Sequence, residues 1–91
     1  MTRTLPLYHA VAAHLACDLD GETAILHIDS GRYYSLNPVA SRVWATLQDP
    51  ISEAAICDLL AQEYDVSPER LGQDIAVFLT RMCDELLVET L

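Results

Sequence analysis

The backbone must change period inside one short stretch, Arg32-Tyr33-Tyr34-Ser35-Leu36-Asn37-Pro38 and the Val39-Ala40-Ser41-Arg42-Val43-Trp44 that follows it. Tyr33 to Leu36 is a strand-type aromatic and apolar run directly after the turn signal Asp29-Ser30-Gly31. Asn37 is a good N-cap, and Pro38 suits the first helical position, where its missing N–H breaks no intrahelical bond. Val39, Val43, Trp44 and Leu47 then recur at helical spacing. A strand that gives way to helix here, with no strand signal after it, is expected to be the last of its sheet and to leave one backbone edge unpaired.

Upstream, strands are expected over Val11–Asp18 and Glu22–Asp29, joined at Asp20-Gly21, the favoured pair for a two-residue type I′ hairpin. That register sets Leu15 against Leu26, Cys17 against Ala24 and Ala13 against Ile28, an apolar face expected to meet the core. His14 and His27 pair on the other face, where they are expected to be partly exposed and without special role. A three-residue loop at Asp29-Ser30-Gly31 then sets Tyr34 against Leu26 and Leu36 against Ala24, with Tyr33 and Ser35 pointing the other way. Residues 1–10 read as a flexible lead-in and residues 11–91 as one domain.

Three helices follow. The first runs from about Pro38 to Gln48. The second begins after Ser52 and carries Ile56, Leu59, Leu60 and Tyr64 on one face. The third begins after Ser67 with Pro68 at its first position, and its apolar stripe is Leu71, Ile75, Phe78, Leu79, Met82 and Leu86, widened by Val77 and Cys83. The expected class is α+β: a three-stranded antiparallel meander followed by three helices in a winged-helix-like arrangement.

Composition narrows the function. The net charge is −9, lysine is absent, and Arg3, Arg32, Arg42, Arg70 and Arg81 are scattered. A duplex binder needs several phosphate-neutralising cations on one face, so nucleic acid and anionic membrane surfaces are poor partners, whereas a neutral or basic peptide suits this field. No apolar run approaches the ~18 residues of a membrane span, and the first residues lack a signal-peptide core, so a cytoplasmic protein is expected. Cys17, Cys57 and Cys83 are an odd set without CxxC spacing; Cys17 is expected to face the core, and all three to be inert thiols. No histidine follows His27, so no Cys–His pair suggests itself, and neither catalysis nor a cofactor or metal is expected. Asp29-Ser30-Gly31 could suggest a carrier serine, but a hairpin turn fits its flanks better.

Gly31-Arg32-Tyr33-Tyr34-Ser35-Leu36-Asn37, then Ala40 and Val43-Trp44, with Leu26 and Ile28 upstream, resembles the pyrroloquinoline-quinone biosynthesis protein D family over roughly Val11 to Leu87. That family belongs to the recognition elements for ribosomally made, post-translationally modified peptides. Reading Tyr-Tyr-Ser-Leu-Asn-Pro in a stand-alone domain, the chain is most similar to the free-standing leader-binding proteins of lasso peptide biosynthesis. The resemblance implies a non-catalytic domain that binds the leader of a precursor peptide as an added strand along the third strand, beside the third helix. It also implies a separate cysteine-protease-like leader peptidase as partner, and the end of the chain at Leu91 agrees with action in trans. Carried onto these positions, the leader would run along Arg32, Tyr33, Tyr34, Ser35 and Leu36. Its apolar side chains would meet one of the two tyrosines and Ile75, Phe78 and Leu79, with Asp74 and Arg81 at the rim. The rival readings are a winged-helix DNA-binding regulator and an accessory subunit that only stabilises an enzyme. An open edge can also pair two copies of the chain when no peptide is present.

Overall fold

The structure, a computed structural model, describes residues 6–91. Its elements run β1 (Tyr8–Ala10), β2 (His14–Leu19), β3 (Glu22–His27), β4 (Tyr33–Leu36), α1 (Pro38–Thr46), α2 (Glu53–Ala61), α3 (Pro68–Asp84) and β5 (Val88–Thr90). β2, β3 and β4 form an antiparallel meander with β4 at one edge, so the fold is the expected α+β, winged-helix-like one. β1 and β5 pair separately. This second, small sheet was not anticipated. Of the expected lead-in, residues 1–5 lie outside the described residues, while Tyr8 to Ala10 form a strand pinned on both sides. Tyr8 N–H donates to Ile51 O at 2.7 Å and Ala10 N–H to Leu47 O at 2.8 Å, with β5 alongside.

The three helices start where their caps dictate. Asn37 Oδ1 accepts from Ala40 N at 2.8 Å, Ser52 Oγ from Ala55 N at 3.2 Å and Ser67 Oγ from Arg70 N at 3.3 Å, each satisfying a first-turn N–H. α3 ends in a Schellman motif: Leu87 N–H donates to Met82 O at 2.9 Å and Leu86 N–H to Cys83 O at 3.0 Å, with Leu86 left-handed at φ 62°. The motif reverses the chain, so Leu87 is buried against Met82 while Leu86 is exposed. The expected stripe therefore loses Leu86, and Val77 and Leu59 also face outward. Ile25, Val43, Trp44, Leu47, Ile56, Leu60, Leu71, Ile75, Leu79 and Met82 form the core.

The first hairpin has the expected register: His14 faces His27, Leu15 faces Leu26 and Cys17 faces Ala24, with Asp20 (φ 54°) and Gly21 (φ 86°) both left-handed as a type I′ turn requires. The second hairpin differs by one residue. His27 N–H donates to Arg32 O at 2.9 Å and Gly31 N–H to His27 O at 2.8 Å, so Ile28 to Gly31 form a four-residue loop, not a three-residue one. Tyr34 consequently pairs with Ile25 and Leu36 with Thr23, not with Leu26 and Ala24. A slip of one residue exchanges the faces of a strand. Ile25, Tyr34 and Leu36 thus point at the helices together with His27, which is buried, and His14, whose ring meets Trp44 edge-on at 5.0 Å. Leu15, Cys17 and Ile28 are exposed, and they and Leu26 lie on the outer face. For β2 and β3 the expected core face is the solvent face and the histidines belong to the inner one, while Tyr34 and Leu36 on β4 turn inward as expected.

The loop explains the burial of His27. Its Nδ1 lies 2.7 Å from Ser30 Oγ and accepts from Ser30 N–H at 3.3 Å, while Ser30 Oγ also accepts from Arg32 N–H. Ser30 satisfies a buried imidazole and closes a turn, so the turn reading of Asp29-Ser30-Gly31 holds.

Candidate functional site

β4 is paired on one side only. Because Arg32 is hydrogen-bonded to His27, the antiparallel alternation directs the backbone groups of Tyr34 and Leu36 toward β3 as well. The N–H and C=O of Tyr33 and Ser35 point to the open edge, where no strand lies among the described residues. α3 runs beside this edge, its Phe78, Arg81, Met82 and Glu85 facing Tyr34 and Leu36 across a cavity of about 340 Å3.

A polar latch closes one end of this groove. Tyr34 donates its hydroxyl to Glu85 Oε2 at 2.6 Å, and Arg32 Nη1 donates to the same oxygen at 3.2 Å. The hydrogen bond from Tyr34, and the Arg32 charge after it, hold the Glu85 carboxyl below its usual range, while the same bond pushes the Tyr34 hydroxyl up. The latch fixes the spacing between the strand and the C-terminal turns of the helix.

At its other end the groove opens into a second cavity of about 560 Å3 between α1 and α3. Asn37, Ala40 and Phe78 line both, so the two make one trough. The second cavity is walled by Val43, Tyr64, Val66 and Ile75, and the Arg70–Asp74 ion pair (3.9 Å) stands at its rim. The trough is mostly apolar between α1 and α3, mixed polar and apolar beside β4, and charged at its ends. It suits an extended chain with bulky apolar side chains.

The residues singled out from the sequence gather here except Leu79, with Arg32 lining neither cavity and joining only through its bond to Glu85. Tyr33 and Ser35 are exposed on the edge strand, and Tyr34 and Leu36 form the inner wall. Asp74, Ile75 and Phe78 line the α3 side, and Arg81 stands at the rim. Leu79 is only 1% exposed and lines neither cavity; it packs beneath the trough as core. The choice between the tyrosines is decided by strand parity: Tyr34 turns inward to Glu85, and Tyr33, 73% exposed, turns outward. Glu85, Met82, Ala40 and Tyr64 were not anticipated. Helical spacing could have found the first two, since Phe78, Met82 and Glu85 follow one another at i+4 and i+3 on one face.

Among the described residues no His, Cys, Asp and Glu group could hold a metal, and no helix is long and apolar enough to cross a membrane. Burial pushes up the thiols of Cys57 and Cys83, away from the thiolate that nucleophilic chemistry needs.

Two solved structures share this architecture. One, described as TbiB1 in complex with the TbiA(beta) leader peptide, superposes with a TM-score of 0.84 at 28% identity, covering 89% of this chain and 94% of that one. Another, described as lasso peptide synthetase B1 complexed with the leader peptide, is alike in fold, with a TM-score of 0.79 at 24% identity over 90% of this chain and 96% of that one. No curated protein matches the chain. The model of the family described as coenzyme PQQ synthesis protein D (PqqD) matches residues 22–88, from the start of β3 through all three helices, and the chain belongs to that family.

Proposed function

We propose that this protein is a non-catalytic recognition domain that binds the leader segment of a ribosomally made precursor peptide, of the lasso type, and presents it to a separate leader peptidase. The leader adds as a fourth strand along β4, with its backbone on the outward groups of Tyr33 and Ser35. Alternate side chains enter the trough against Tyr34, Leu36, Ile75 and Phe78, and Asp74 and Arg81 select charge at its rim. Added strands are recognised in this way, with affinity from the main chain and specificity from pockets for alternate residues. The observation that carries the reading is the open β4 edge lying directly beside a groove that leads into an apolar cavity between α1 and α3. The two similar solved structures, each described as a complex with a leader peptide, support it.

Fluorescence anisotropy of a labelled cognate leader, with a random DNA duplex in parallel, tests the proposal. Saturable peptide binding without DNA binding is the expected result. Binding to DNA alone would overturn it in favour of a regulator, although α3 exposes Glu69, Asp74 and Asp84 and its Arg70 is paired. Binding to neither would leave a stabilising subunit as the better description.

A further inference from the structure

We propose that the outer face of the β2-β3-β4 sheet is a docking surface for the enzyme that processes the precursor, which meets it with an apolar patch rimmed by lysine and arginine. Antiparallel sheets with one solvated face ordinarily alternate apolar-in and polar-out. Here both faces are apolar. The inner face carries Ile25, Tyr34 and Leu36, and the outer carries Leu15, Cys17, Leu19, Leu26, Ile28 and Tyr33. Leu15, Leu19, Ile28 and Tyr33 are between 52% and 73% exposed. A contiguous apolar patch of this kind marks an interaction site.

Charge selects the occupant. Asp20 and Glu22 stand at one end of the face and Asp29 at the other, and the ion pairs among the described residues include none of the three. Arg32, directly before β4, is turned to the inner side and held by Glu85. A second copy would bring the same acids and another −9 of charge against this face, and an anionic membrane would be repelled likewise. A protein with a basic rim complements it.

Continuity with the β4 edge identifies which protein. Tyr33 belongs both to the outer face and to the trough. A strand added to β4 would place every second side chain on the outer face beside Tyr33 and Ser35, so a docked protein would touch the domain and its peptide together. This last step rests on the leader-binding reading; the docking surface itself does not.

The test measures the affinity of the purified cognate leader peptidase for the wild-type protein and for Leu15→Glu/Leu19→Glu, with leader anisotropy and sedimentation in parallel. Leu15→Thr/Leu19→Thr, which keeps strand propensity, guards against misfolding of the charged variant. The expected result is at least about a tenfold loss of peptidase affinity in both variants, with leader affinity unchanged. Wild-type affinity should also fall with added salt. Undiminished peptidase affinity in a folded variant, or no peptidase binding to the wild type, would overturn the proposal. So would a wild-type dimer that the variants dissociate, which would make the occupant a second copy. If the wild type binds peptidase through this face but no leader, the docking surface stands and the leader reading fails.

Discussion

Replacement of Ser35 by proline isolates the backbone edge from everything else in the trough. Ser35 lies opposite Ala24 at a position whose N–H points away from β3, so proline there removes no bond within the sheet. Its side chain is exposed, and Tyr34 before it is already extended, as the residue preceding a proline must be. The open edge offers the N–H and C=O of Tyr33 and of Ser35, and a hydrogen bond to each is worth about 0.5–1.5 kcal/mol net. Proline deletes one of these donors outright, and its ring stands where the incoming strand must approach. A loss of about 1–3 kcal/mol follows, roughly 5- to 150-fold in leader affinity. Ser35→Ala, which keeps the N–H, should bind as the wild type does. Anisotropy supplies the affinities, and circular dichroism with a thermal melt shows that the sheet persists. Wild-type leader affinity in a folded Ser35→Pro protein would refute strand addition at β4 and send the search to the cavity between α1 and α3.

Other consequences of the geometry can be checked singly. Ile25→Ala should cost about 2–5 kcal/mol of unfolding free energy because Ile25 is fully buried, whereas Leu15→Ala should cost well under about 1 kcal/mol; equal losses in denaturant titration would contradict the observed faces of the sheet. Leu86→Gly should stabilise by about 0.5–1 kcal/mol, since Leu86 is exposed at φ 62°, where glycine carries no Cβ penalty; a lower melting temperature would show that the side chain contributes what the solvent-facing geometry denies. The latch has a defined pH window. The Glu85 carboxyl lies below its ordinary 4.5, so its stabilisation is present above that pH and lost as the pH falls through the folded-state value. The Tyr34 hydroxyl lies above its ordinary 10.0, so its share is present below that pH and lost in stronger alkali. Melting curves of wild type and Glu85→Gln should therefore converge only as the pH falls through that folded-state value, below 4.5, and a difference that persists undiminished into stronger acid would exclude the latch.

Local signals in the chain were enough for the order and ends of most elements. Asn37-Pro38 and Ser67-Pro68 mark helix starts because a capping oxygen and a ring that needs no N–H act within four residues. Asp20-Gly21 sets the first register because two left-handed residues admit one hairpin. Sequence alone also placed the open edge, the aromatic pair and most of the α3 face that borders it. It did not decide which face of the sheet is inside. Leu15, Leu26 and Ile28 are as apolar as Ile25, Tyr34 and Leu36, so alternation offered two equivalent answers. The inner one was chosen by a four-residue loop that Ser30 and His27 close through hydrogen bonds, and by Trp44 on a helix distant in sequence. β1 and β5 were invisible for a related reason: three-residue strands carry too little period to read, and these two exist because Tyr8–Ala10 and Val88–Thr90 are brought together across the whole length of the chain. What the residues determine by themselves is what neighbours along the chain can enforce. Burial, the end of the stripe at Leu86 and the shape of the trough depend on partners that only packing supplies.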